Sequence, residues 1–84
     1  MNSTQYEVLL FAGPREAVGQ QHVIVRGKAD MTAGDLLDSL SDQYPKLQPW
    51  IGSSRLAVDQ CYVAATQSIP HGSEIALIPP VSGG

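Results

Sequence analysis

Residues 32–45 carry the pattern that most limits what the rest of the chain can do. Ala33, Leu36, Leu37, Leu40 and Tyr44 fall at i, i+3, i+4, i+7 and i+11, while Asp35, Asp38, Ser39 and Asp42 lie off that line. This is the pattern of a helix with one apolar stripe. Thr32 stands where an N-cap belongs, and Asp35, three residues on, is an acid at the positive end of the helix dipole. Pro45 sets the end, because the residue before a proline is pushed out of helical geometry. A single helix cannot bury its own stripe. In a chain of 84 residues, large enough for one core and one domain, the stripe must cover a sheet.

The flanking segments supply strands. Residues 6–12, YEVLLFA, are almost continuously apolar, which predicts a central strand covered on both faces. Gly13-Pro14 breaks it and Gly19 closes a single helical turn. Residues 21–26, QHVIVR, read as a second strand, and the short connection favours an antiparallel pair with the first. Residues 47–54, LQPWIGSS, read as a loop with a short turn, in which Trp50 plugs one end of the core. In RLAVDQCYVA, residues 55–64, two short apolar runs flank a turn at Asp59-Gln60. A further turn at His71-Gly72 leads to a last strand over residues 74–78. If that strand lies parallel beside the first, the right-handed crossover rule gives an α+β, β-grasp arrangement: a mixed sheet with one main helix on one face. Residues 1–78 then form the domain, and residues 79–84 an extended tail leaving an inner strand.

Composition narrows the function classes. Hydrophobic residues make up 43% and charged residues 15%, a globular balance with a mostly aliphatic core. The net charge is -3, and Arg15, Arg26, Lys28, Lys46 and Arg55 are scattered singly, which argues against nucleic-acid binding. The lone Cys61 can form no intramolecular disulfide and no Cys-rich zinc pattern, which fits a reducing compartment. It lacks an adjacent basic residue that would activate it and is expected to be a small, partly buried filler. His22 and His71 lie in no catalytic motif and are expected at the surface or in turns. Asp38 and Asp42, one turn apart, read as a solvated helix face rather than a metal or acid–base pair. No metal site, phosphate-binding loop or dinucleotide fingerprint is expected. The N-terminus lacks the basic and apolar regions of a signal peptide, and no apolar run reaches the roughly 20 residues of a membrane span. A cytoplasmic protein that neither binds nor crosses membranes is expected.

The exception is the end of the chain, Pro79-Pro80-Val81-Ser82-Gly83-Gly84. Glycine loses the most conformational freedom on ordering, so Gly-Gly helps neither strand nor helix. Two prolines favour a semi-rigid extended lead-in without ladder bonds. Six extended residues reach about 20 Å, enough to put the Gly84 carboxylate inside another protein's active site. Side-chain-free glycines let the backbone pass a narrow channel. A carboxylate resists nucleophiles until its oxygen becomes a good leaving group, as in an acyl-adenylate. Without a phosphate-binding loop of its own, the chain needs a partner to supply the nucleotide site.

These residues carry a family resemblance. LLFA..REAVG, LAVDQCYV and HGSEIALIPPVSGG resemble the first strand and turn, the middle hairpin, and the closing strand and tail of the small subunits of molybdopterin synthases, sulfur carriers with a ubiquitin-like β-grasp fold. The tail is the most specific part, since thiamine-pathway carriers share Gly-Gly but usually lack the Pro-Pro-Val-Ser lead-in. Asp59 stands where the family commonly has Asn, and His71-Gly72-Ser73-Glu74 replaces Asp-Gly-Asp-Glu. The resemblance implies that a ubiquitin-activating-type enzyme adenylates Gly84 with ATP and that a sulfur donor protein converts it to a thiocarboxylate. The large synthase subunit, in a heterotetramer, then uses this sulfur to turn cyclic pyranopterin monophosphate into molybdopterin. It implies that Pro79, Pro80, Val81, Ser82 and Gly83 insert into the partner, and that Phe11, Arg15, Tyr62 and Ile78 face it. On this view the chain is the sulfur-donating subunit of a sulfurtransferase with no independent catalytic site, and binds no cofactor itself. The alternatives are a carrier for a thiamine-type pathway, a ubiquitin-like modifier forming isopeptide bonds, or an interaction domain with an inert tail.

Overall fold

In the computed structural model, which describes residues 4–80, the first strand already gives the sheet two unlike faces. β1, Thr4–Leu10, buries Tyr6, Val8 and Leu10 and exposes Gln5 and Glu7. The run is therefore not covered on both faces, as its apolar character suggested. Side chains alternate, and only one face meets the helix. The strand also ends before residue 12: Phe11 is the N-cap of α1, Ala12–Val18, which makes two turns rather than one. Ala12 reverses the chain with a φ of 51°. Pro14 is buried in the first turn, where its missing N–H has no intrahelical acceptor to lose. Gly19 ends the helix in the left-handed region, at a φ of 79°, its N–H donating to the Arg15 carbonyl at 2.8 Å.

β2, His22–Gly27, pairs antiparallel with β1 as expected, setting Tyr6 opposite Val25 and Val8 opposite Val23, all four buried. The main helix, α2, spans Ala33–Gln43. Its start is a reciprocal capping box: Thr32 Oγ1 accepts from the Asp35 N–H at 3.1 Å, and Asp35 Oδ2 accepts from the Thr32 N–H at 3.3 Å. Ala33, Leu36 and Leu40 are buried, with Leu37 and Tyr44 packed partly buried beside them, while Asp38 and Asp42 are exposed. The stripe thus covers the sheet. Thr32→Ala removes the oxygen that satisfies an otherwise unpaired helix N–H, and should lower stability by about 1 kcal/mol in denaturant titration.

After the Tyr44 C-cap, Pro45 opens a 3-10 turn, Pro45–Leu47, followed by the single-turn α3, Gln48–Ile51, where a loop was expected. Leu47 is fully buried and Trp50 only partly so. The indole lies against α1 at Gly13, where any side chain would collide with the ring. Trp50 therefore clasps α3 to α1 instead of plugging the core, and the absent Gly13 side chain makes room for it.

β3, Arg55–Val58, and β4, Cys61–Tyr62, form a hairpin whose turn residues Asp59 and Gln60 both have positive φ, 50° and 70°. That backbone suits the twist of a two-residue hairpin, and Asp tolerates it better than most residues. Cys61 is exposed on this hairpin rather than a buried filler, because a two-residue strand brings nothing over its outer side. A turn with Gly72 at a φ of 82° precedes β5, Ile75–Ile78. The strand order is β2-β1-β5-β3-β4, with β5 parallel to β1 and antiparallel to β3. This is the mixed β-grasp sheet, and β5 is an inner strand. Among the described residues the hydrophobic core is aliphatic apart from Met31 and Tyr6, and the Tyr6 hydroxyl donates to the Lys28 carbonyl at 2.8 Å.

Candidate functional site

The strand register lines up the side chains of the face that no helix covers. Across the sheet, Leu9 on β1 neighbours Ala76 on β5, Ala76 is opposite Ala57 on β3, and Ala57 is opposite Tyr62 on β4. Two small residues thus lie between two large ones, which produces a trough. Phe11, two residues beyond Leu9, and Ile78, two beyond Ala76, extend it by the strand's period of two. The resulting groove holds about 380 Å³ and is lined by these residues together with Gln60 and Glu74. Tyr62 is 57% exposed and Phe11 44%. Large apolar side chains gathered in one exposed concavity mark a surface that a partner covers.

Two local contacts shape the rim. The Arg55 guanidinium sits 4.3 Å from the centre of the Tyr62 ring, a cation–π contact that limits the ring's freedom beside the groove. At the polar end, the Asp59 N–H donates to the Glu74 carbonyl at 2.8 Å and Asp59 Oδ1 accepts from the Glu74 N–H at 3.0 Å. These bonds tie the β3–β4 turn to the start of β5. An asparagine oxygen could accept the same bond, so the departure at Asp59 preserves this contact. At the other departure, Ser73 Oγ donates to the Pro70 carbonyl at 2.6 Å and closes the His71-Gly72 turn.

Of the residues expected to face a partner, Phe11, Tyr62 and Ile78 meet in the groove, whereas Arg15 is exposed on α1 and does not line it. Pro79 follows β5 partly buried and Pro80 is exposed. Val81, Ser82, Gly83 and Gly84 lie outside the described residues. Leu9, Ala57, Gln60, Glu74 and Ala76 also line the groove and were not among the residues expected to face a partner. Alternation alone would have put Leu9 with Phe11 and Ala76 with Ile78, but the cross-strand register that joins the pairs has no local signal. His22 Nε2 lies 3.2 Å from Glu7 Oε2 on the exposed face, and His71 sits in its turn. Among the described residues, no three of His, Cys, Asp and Glu are grouped to hold a metal, and no helix is long and apolar enough to cross a membrane. The chemistry the groove supports is binding: apolar area inside, a carboxylate and an amide at one end, a guanidinium at the other.

The profile of the ThiS family matches residues 8–84. The molybdopterin synthase sulfur carrier subunit of Dictyostelium discoideum is 39% identical over 85 aligned positions, covering 98% of this chain and 99% of that protein. The crystal structure of small archaeal modifier protein 1 from Haloferax volcanii superposes with a TM-score of 0.81 at 29% identity, over 93% of this chain and 99% of that one. A chain in the complex of subunits 1 and 2 of molybdopterin-converting factor from Helicobacter pylori shares the fold, with a TM-score of 0.67 at 20% identity, over 96% of this chain and all of that one.

Proposed function

The chain belongs to the ThiS family, and from that premise we propose that it is the sulfur-carrying small subunit of a molybdopterin synthase, acting in the cytoplasm in molybdenum cofactor biosynthesis. The observation that carries this reading is where the tail starts. Ile78, the last residue of inner strand β5, is itself part of the groove, and the first tail residue, Pro79, follows it directly. β1 holds β5 as far as Leu77, and β3 holds it to Ile78. Docking then presents Gly84 to the partner at high effective concentration.

Gly84 is a co-substrate. On a ubiquitin-activating-type enzyme its carboxylate attacks the α-phosphate of ATP and expels pyrophosphate, leaving an acyl-adenylate. Sulfide-level sulfur supplied by a sulfur donor protein attacks the acyl carbon, the C–O bond to the phosphate breaks, AMP leaves, and the thiocarboxylate remains. Within a heterotetramer, the large synthase subunit receives the thiocarboxylate, its sulfur bonds to a carbon of cyclic pyranopterin monophosphate, and water cleaves the C–S bond to Gly84 and restores the carboxylate. The chain donates sulfur, and the partners supply the catalytic groups and the nucleotide site. Pro79, Pro80, Val81, Ser82 and Gly83 form the inserted segment, while Phe11, Tyr62 and Ile78, which line the groove, and Arg15, which does not, face the partner.

Incubation of the purified chain with its activating enzyme, ATP and a sulfur donor should add the mass of one oxygen-to-sulfur exchange, located at Gly84 by fragmentation. A second reading, a protein modifier, draws on the close superposition with the archaeal modifier. Attachment to lysines of other proteins with no thiocarboxylate formed would establish that reading instead.

A further inference from the structure

The two edges of the sheet differ in what they expose. β4 is a two-residue edge, Cys61–Tyr62, too short to template another strand, but β2 is six residues long, His22–Gly27, and β1 occupies only one of its sides. An edge of that length offers unpaired N–H and C=O groups to any other strand. In the antiparallel pairing, Gln21 turns its carbonyl inward to the Leu10 N–H, so the alternate residues His22, Ile24 and Arg26 turn their backbone groups outward.

Those outward groups meet the C-terminal end of α2. The Gln43 amide makes two bonds to one residue: Nε2 donates to the Arg26 carbonyl at 2.9 Å, and Oε1 accepts from the Arg26 N–H at 3.2 Å. The Tyr44 hydroxyl donates to the Ile24 carbonyl at 2.8 Å. A carboxamide that donates and accepts at the same residue reproduces the pair of bonds a neighbouring strand would make there. All three bonds are solvent-exposed, so water could satisfy these backbone groups about as well. What the side chains do, and water does not, is stand where a strand would have to lie.

We propose that Gln43 and Tyr44 form an edge guard that keeps a second copy of this chain from pairing with β2. The occupant excluded is another β2. An antiparallel pair centred on Ile24 would set His22 of each copy opposite Arg26 of the other and join two five-stranded sheets into one. Because the guard acts at the edge opposite β4, the proposal holds whether or not the tail carries sulfur.

The test is sedimentation equilibrium of the full chain and of the Gln43→Ala/Tyr44→Ala double variant, with circular dichroism to verify folding. Alanine withdraws both side chains from the edge; Gln43 is exposed and Tyr44 only partly buried. The double variant should self-associate at least tenfold more tightly than the parent chain. Adding Ile24→Pro, which removes an outward N–H and spares the ladder to β1, should reverse that gain. A folded double variant that associates no more tightly than the parent chain, or whose association survives the proline, overturns the proposal. If the double variant does not fold, Gln43→Ala alone decides by the same comparison.

Discussion

Deleting Gly84 is expected to abolish sulfur transfer and to leave the fold untouched. The proposed chemistry takes place at a single carboxylate, and a chain ending at Gly83 would present its carboxylate one residue short of the partner's reacting groups. Misplacement on that scale removes the advantage of orientation. Stability has no corresponding reason to change. The buried hydrophobic residues extend in sequence from Tyr6 to Leu77, and β5 ends at Ile78. Changes away from such features usually alter stability by about 0.5 kcal/mol or less, a shift in melting midpoint of about 4 °C or less for a domain of this size. A bulky residue in place of Gly83 should behave in the same way, because the proposed insertion of the tail relies on a backbone without side chains there. Single-turnover transfer and thermal melts on both variants test this. A large loss of melting temperature would make the tail structural, and undiminished transfer would remove Gly84 from the reaction.

The parts of the fold that the sequence disclosed rest on short-range rules. The capping residues Thr32 and Asp35, the stripe from Ala33 to Tyr44 and the stop at Pro45 lie within 14 residues of one another, and the helix follows them at both ends. The Asp59-Gln60 and His71-Gly72 turns were legible for the same reason. The first segment misled because YEVLLFA contains two signals. Leu9 and Phe11 face a groove and Tyr6, Val8 and Leu10 face the core, so both sides look apolar near the C-terminal end although only one is covered by a helix. Pro14 was read as breaking the strand, whereas it sits in the first turn of a helix that begins beside it. Nothing in an alanine announces the positive φ at Ala12. Trp50 and Cys61 were assigned burial from residue type, and the placement of each depends on whether another element passes over it.

The groove was legible by halves. Resemblance pointed to Phe11, Tyr62 and Ile78, and the sheet brings them together. Its floor, Leu9-Ala76-Ala57, depends on a register between strands up to 67 positions apart in the chain, counting from Leu9 to Ala76. Small side chains there are no omission in packing. They provide the depth between Leu9 and Tyr62 that a flat apolar sheet face would lack.

Tyr62→Ala is expected to weaken binding to the large synthase subunit by about 2 kcal/mol, roughly 30-fold, the loss typical of an aromatic hot spot. Three observations motivate that size. The ring is 57% exposed in the free chain, it borders the groove, and Arg55 at 4.3 Å restrains it before any partner arrives, which reduces the ordering cost of association. The same exposure means that truncation opens no cavity in the core, so the chain should stay folded. Transfer within the saturated complex should be nearly unchanged, because the groove contributes binding that is equal in ground and transition states, whereas the tail places the reacting carbon. Loss of Gly84 should show the reverse, with binding largely retained through the groove and transfer gone. Calorimetry and single-turnover transfer on the two variants separate these effects. Equal binding losses in both, or a saturated Tyr62→Ala complex that cannot transfer sulfur, would show that groove and tail act as one unit.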